Sequence, residues 1–320
     1  MPYINQTSYR APLLLRYHHF NTMLRPAIHR VPGVQYQRER IFTPDDDFLD
    51  LDWSIVGGDR LVVMLHGLEG SSDSTYVKSL VRLSNREGWD GLAINFRSCS
   101  GEMNRHLHSY HSGDTSDLDL VLQHVLSKGR YREICIAGFS LGGNVTLKFT
   151  GEKGSAIYPE VKKVVAVSVP IHLESSSYEL GKWHNRIYMG RFMNSLKSKV
   201  QQKLALIGDH IDLEAVMASR TFGDFDEHFT APVNGFKNAI DYWTQSSSLQ
   251  FIPSISVPTL LINARDDSFL SDRCYPVELA EQHPFFHFEA PQHGGHVGFV
   301  LLRNDNFMWI EKRIVQFLKS

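Results

Sequence analysis

Residues 133–151, EICIAGFSLGGNVTLKFTG, decide the fold. The first seven, Glu133–Phe139, are almost wholly apolar. A run without a polar beat suits a strand buried on both faces of a sheet. It ends in Gly138-Phe139-Ser140-Leu141-Gly142, and a helical pattern over 141–151 follows at once. A G-x-S-x-G set between strand and helix is a sharp turn that holds its serine out from the sheet edge. The serine then sits at a helix N-terminus, where free N–H groups favour negative charge. Alone, the five residues would read equally well as a glycine-rich turn. The flanking strand and helix give them meaning.

Working outward, the same alternation repeats. Leu61–His66 (LVVMLH) and Gly91–Phe96 (GLAINF) read as buried strands, as do Lys163–Val169, Thr259–Ala264 (TLLINA) and Phe285–Glu289. Helical spacing covers Asp73–Arg86, Thr115–Ser127 and Asp305–Leu318. Gln35–Phe42 and Phe48–Ile55 alternate as more exposed strands, an antiparallel edge. Strand–helix alternation implies right-handed crossovers and a parallel sheet. Between 173 and 251 the alternation stops, and helical segments rich in aromatics take over. The expected class is α/β: a mostly parallel central sheet flanked by helices, with a helical cap insert over the sheet's carboxyl edge. The divisions are an N-terminal arm at 1–34, a core at 35–172 and 252–320, and the cap at 173–251. The cap aromatics read equally as an acyl-pocket lining or as packing that holds the cap down.

A serine hydroxyl needs a base to take its proton and an acid to orient that base. An elbow of this type finds both downstream, acid before histidine. Asp266 and Asp267 lie just past TLLINA, with Asp267 preferred. His296, in Gly294-Gly295-His296-Val297-Gly298, is the candidate base, and His293 is its neighbour and competitor. A tetrahedral oxyanion requires backbone donors. Leu141, after the serine, and Leu68, in His66-Gly67-Leu68 after the LVVMLH strand, are the candidates.

Composition narrows the field. Lys and Arg number 33 against 35 Asp and Glu, a net charge of −2. A nucleic-acid binder would carry a basic excess, so no nucleic-acid partner is expected, nor any strong pull toward an acidic membrane. Three cysteines, Cys99, Cys135 and Cys274, make no disulfide framework. With no secretory pattern and no apolar run long enough to span a bilayer, the expected location is cytoplasmic.

HGLEGS (66–71), FRSCSGE (96–102), HSGDTSDL (111–118), GFSLGGN (138–144), LINARDD (261–267) and GGHVGF (294–299) resemble the YheT-like branch of the α/β-hydrolases, a group of esterases and acyltransferase relatives. The likeness runs over nearly the whole chain. It implies an α/β-hydrolase fold and a carboxylesterase acting on a small-molecule ester, with Ser140, Asp267 and His296 as the triad and no cofactor. The sequence departs from the family at Ser98, at Ser268 and in His19-Phe20-Asn21-Thr22.

His106, His108 and His111 form H-x-H-x-x-H, a pattern that invites zinc. No further ligand motif joins them, so hydrogen-bonding loop histidines are expected and no metal. A binding protein that has lost its chemistry would have a gap in the triad; every position here is filled. Acyl transfer to an alcohol would use the same residues. Short- to medium-chain esters are the expected substrates.

Overall fold

The computed structural model describes residues 3–4, 6–301 and 307–320. Among the described residues nine strands form one sheet: β1 (Tyr3–Ile4), β2 (Gln37–Phe42), β3 (Phe48–Ser54), β4 (Arg60–Leu65), β5 (Asp90–Asn95), β6 (Glu133–Phe139), β7 (Val161–Val167), β8 (Thr259–Ile262) and β9 (Phe286–Glu289). Their order is β1-β9-β8-β7-β6-β4-β5-β3-β2. β3 runs antiparallel to both of its neighbours, β2 and β5, and the other described pairs are parallel.

Strand residues alternate between two buried faces, which is why these runs carry no polar beat. Val62 and Met64 of β4 pack on one side with Ala137 and Phe139 of β6. Leu61, Val63 and Leu65 pack on the other with Ile134 and Ile136. Helix α2 (Thr75–Arg86) and the closing helix Trp309–Lys319 cover the first face. Helices α3 (Ser116–Ser127) and α4 (Leu141–Lys153) cover the second. The start expected for the closing helix, at 305–306, lies outside the described residues.

One departure from the sequence reading has a clear cause, and one segment is more structured than its sequence declares. The strand expected to be exposed at 48–55 is buried along all of β3. Its acidic face is neutralised across the sheet: Arg40 binds Asp50 at 2.7 Å and Arg38 binds Asp52 at 2.8 Å. That segment is the N-terminal arm. It contributes β1, paired with β9, and a helix, α1 (His18–Ile28).

The chain leaves β4 through α2 to β5 on one side, then comes back to β6 on the other. Leu65 and Gly138 are register partners, so the loop after β4 and the turn after β6 leave the sheet side by side. This is the topological switch point, where open α/β sheets bind ligands. From 173 to 254 the regular elements are all helical, including α5 (Leu173–Leu180), α6 (Arg186–Gln202) and a single π turn at Asp226–Thr230. Among the described residues no helix is long and apolar enough to cross a membrane.

Candidate active site

Ser140 stands at the switch point with φ 51° and ψ −118°, a left-handed backbone that side chains rarely adopt. The turn is tight because Gly142 passes against β4: a Cβ there would lie 2.4 Å from the His66 carbonyl oxygen. Asn144, fully buried on α4, fastens the elbow to its surroundings. Its amide donates to the carbonyls of Ser112 and Ser246, both at 2.7 Å.

The structure brings Ser140, His296 and Asp267 into one line. Ser140 Oγ lies 2.9 Å from His296 Nε2, and His296 Nδ1 lies 2.9 Å from Asp267 Oδ2. Asp267 is buried, and its other oxygen accepts the Phe269 N–H at 3.0 Å. The Phe269 ring stacks on the imidazole, with centroids 4.2 Å apart.

Asp266 turns elsewhere. It accepts the Gly295 N–H at 2.8 Å, and His293 Nδ1 lies 3.4 Å from its other oxygen. Burial raises its carboxyl to about 6, against the opposing pull of the Gly295 N–H and His293. The rival acid and the rival histidine therefore face each other at the base of the histidine loop.

The loop after β4 is pinned around Leu68. Gly67 donates its N–H to Tyr76 Oη at 2.9 Å and Glu69 donates to Tyr110 Oη at 3.0 Å. Between them the Leu68 N–H has no acceptor among the described residues. Leu141 opens α4, so its N–H likewise has no partner within the helix. His66 is fully buried; burial lowers it to about 4, so it is neutral at pH 7. Its Nε2 accepts the Phe96 N–H at 3.2 Å, which leaves Nδ1 to donate to the Gly67 carbonyl at 2.7 Å. Glu69, at φ +55°, reaches the other way and takes Lys199 of α6 at 2.8 Å, with Ser195 and Tyr110 also donating.

One cavity joins these parts. Leu68, Ser140 and Leu141 line its floor, and Phe192, Phe222, Phe225, Phe229, Tyr242 and Trp243 come from the helical segment. Tyr178, Trp183, Tyr188 and Phe236 are not in its wall, so the segment's aromatics divide between lining and other duties. Asp226 is a buried acid in this wall, raised by burial to about 6 while Thr230 and Trp243 donate to it.

His106, His108 and His111 do not converge. His106 faces the Asp46 carbonyl at 3.2 Å, His108 the Asp114 carboxylate at 2.8 Å, and His111 accepts the Gly113 N–H at 3.1 Å. Burial lowers His111 to about 4, while Asp114 raises His108.

The sequence reading missed α1. Thr22 Oγ1 accepts the His296 N–H at 2.9 Å, Asn21 Oδ1 accepts the Val300 N–H at 2.9 Å, and Arg25 Nη1 donates to the Val297 carbonyl at 2.9 Å. Arg25 also pairs with Glu311, both side chains buried. The only hint in the sequence was the motif His19-Phe20-Asn21-Thr22, which says nothing of what its side chains hold.

The family model described as alpha/beta hydrolase fold matches residues 60–301. The chain belongs to the α/β-hydrolase family. This α/β-hydrolase is 36% identical to Escherichia coli (strain K12) YheT, a candidate esterase, over 94% of this chain and 90% of that one. It is 30% identical to phospholipase ABHD3 of Mus musculus, over 87% of this chain and 70% of that protein. An esterase of Pyrococcus furiosus superposes with a TM-score of 0.59 at 21% identity, covering 89% of this chain and 92% of that one. It is an esterase/lipase-type α/β-hydrolase.

Proposed function

We propose that this α/β-hydrolase is a serine carboxylesterase working through an acyl-enzyme, with short- to medium-chain esters as substrates. The carrying observation is the relay from Ser140 through His296 to Asp267, two contacts of 2.9 Å at the floor of an apolar cavity. Ser140 Oγ attacks the ester carbonyl as His296 Nε2 takes its proton. Asp267 holds the imidazole by Nδ1 and stabilises its charged form. The N–H groups of Leu68 and Leu141 receive the oxyanion. The intermediate collapses as His296 protonates the departing alkoxide. Water, deprotonated by the same imidazole, then frees the acid and restores Ser140.

Lipid esters are the second reading, favoured by the aromatic lining and by the phospholipase among the relatives. Acyl transfer to an alcohol would need only a different second nucleophile. Three thiols, none of them paired, fit a cytoplasmic setting.

The test is hydrolysis of p-nitrophenyl esters of graded acyl length by wild type and Ser140→Ala, with a chelator control. The expected result is activity insensitive to chelator and reduced on the order of 10⁴- to 10⁶-fold in the variant. A folded variant that kept wild-type activity would end the proposal. The rate profile against acyl length separates the short-chain from the lipid reading.

A further inference from the structure

Charge is unevenly distributed along this chain. Residues 1–38 and 180–208 contain no Asp or Glu at all, yet hold 11 of the 33 Lys and Arg. The near-neutral total hides this. The two segments meet in space through a row of rings. Phe20 contacts Tyr17 at 5.5 Å, Tyr17 contacts His19 at 5.4 Å, His19 contacts His184 at 6.3 Å, and His184 contacts Trp183 at 5.9 Å.

That row lies on the surface. Trp183 is 79% exposed, Leu13 77% and Ile187 68%, with Tyr17 and Phe20 also more than half exposed. Large apolar side chains gathered in one place are costly in water unless something covers them. Arg16, Arg186 and Arg191 are exposed in the same segments, and no carboxylate pairs with them among the described residues. Lys182 is spent on Glu179 at 2.6 Å. The patch also borders the site: Tyr188, bonded to His19 at 3.2 Å, packs on Phe269, which stacks on His296.

We propose that the face built by residues 13–20 and 183–191, the approaches to α1 and α6 and their first turns, docks on an anionic lipid surface. Exposed Trp, Tyr and Phe with aliphatic neighbours suit the headgroup boundary, and unpaired arginines suit anionic headgroups. A second copy of the chain would bring the same unpaired arginines against each other, so charge argues against it. Docking through this face sets the His296 side of the cavity toward the lipid. It does not depend on hydrolysis, so Ser140→Ala binds vesicles as wild type does.

The chain carries its own probe. Trp53, Trp89, Trp243 and Trp309 are buried, so an emission shift on adding lipid reports Trp183. With the full chain, vesicles of equal parts phosphatidylcholine and phosphatidylglycerol shift the emission to the blue; phosphatidylcholine alone does so weakly. Co-sedimentation favours the anionic vesicles on the order of a hundredfold, from three arginines near the surface, and loses that preference in high salt. Trp183→Ser with Ile187→Ser weakens sedimentation with anionic vesicles at least about tenfold, and Arg16→Glu with Arg186→Glu and Arg191→Glu abolishes the preference. These side chains are exposed, so folding is retained and is checked by unchanged thermal melting. Equal binding to both vesicles, or a serine double variant that binds like wild type, overturns the proposal. So does an emission shift that grows with protein concentration without lipid, which would mean self-association.

Discussion

At Ser140 the backbone is bent by its immediate neighbours, whereas at His296 the loop is held by side chains more than 270 positions away. In the elbow, Gly142 lets the turn pass against β4 and α4 begins directly behind the serine. In the histidine loop, Gly295 takes φ +57°, and a Cβ there would meet the His18 carbonyl and Thr22 Oγ1, each at 2.6 Å. That glycine exists so that α1 can approach. Thr22 reaches His296 across a sequence separation of 274 residues. One half of the relay is a local device; the other is a tertiary one. Local devices show in a motif, and tertiary ones show only when the chain is folded.

The largest test of this contrast falls on the acid. Asp267→Asn keeps the shape but removes the charge proposed to fix the imidazole, and kcat for ester hydrolysis should fall on the order of 10⁴-fold. Asp266→Asn retains an oxygen for the Gly295 N–H and should cost no more than about tenfold. Steady-state kinetics on the two purified variants decides between them. Equal losses would mean that the loop as a whole, and not one carboxylate, orients His296.

Much of the architecture was legible because its causes are short-range. Apolar strands such as Leu61–Leu65 declare burial on both faces, and the elbow declares its own turn. The β3 error has a different origin. Asp50 and Asp52 look like a solvent face until Arg40 and Arg38 of β2 are seen lying across them. Asp267 is preferred over Asp266 in the sequence by position alone, and the opposite directions in which the two side chains turn are recorded by no pattern. The arm was missed for the same reason. Asn21, Thr22 and Arg25 lie on one short helix among aromatic and histidine residues, and nothing in their spacing names a loop near residue 296.

Arg25 measures what the arm contributes to stability. Its guanidinium is buried against Glu311 and also holds the Val297 carbonyl. Arg25→Met leaves Glu311 charged, buried and without this partner, a loss of about 3–5 kcal/mol by denaturant unfolding. Adding Glu311→Leu removes the stranded charge and should restore most of it. A double variant as unstable as the single would move the weight from the ion pair to the carbonyl contacts.

Thr22 is the finer probe, because it touches the catalytic candidate without carrying charge. Its hydroxyl accepts the His296 N–H and donates to the His18 carbonyl at 3.0 Å. Thr22→Val keeps the volume and removes both bonds, leaving the loop free to drift by a fraction of an ångström. Misplacement of that size falls on the transition state more than on binding. The expected result is a kcat lowered about tenfold with KM and thermal midpoint little changed, and recovery in Thr22→Ser. If Val matched wild type, packing and Arg25 would be sufficient to hold the loop, and α1 would be a structural strap. If kcat and the midpoint fell together, the threonine would be stabilising the fold and not aiming the base. Only a loss confined to kcat, rescued by serine, makes the N-terminal helix part of the machinery that the elbow begins.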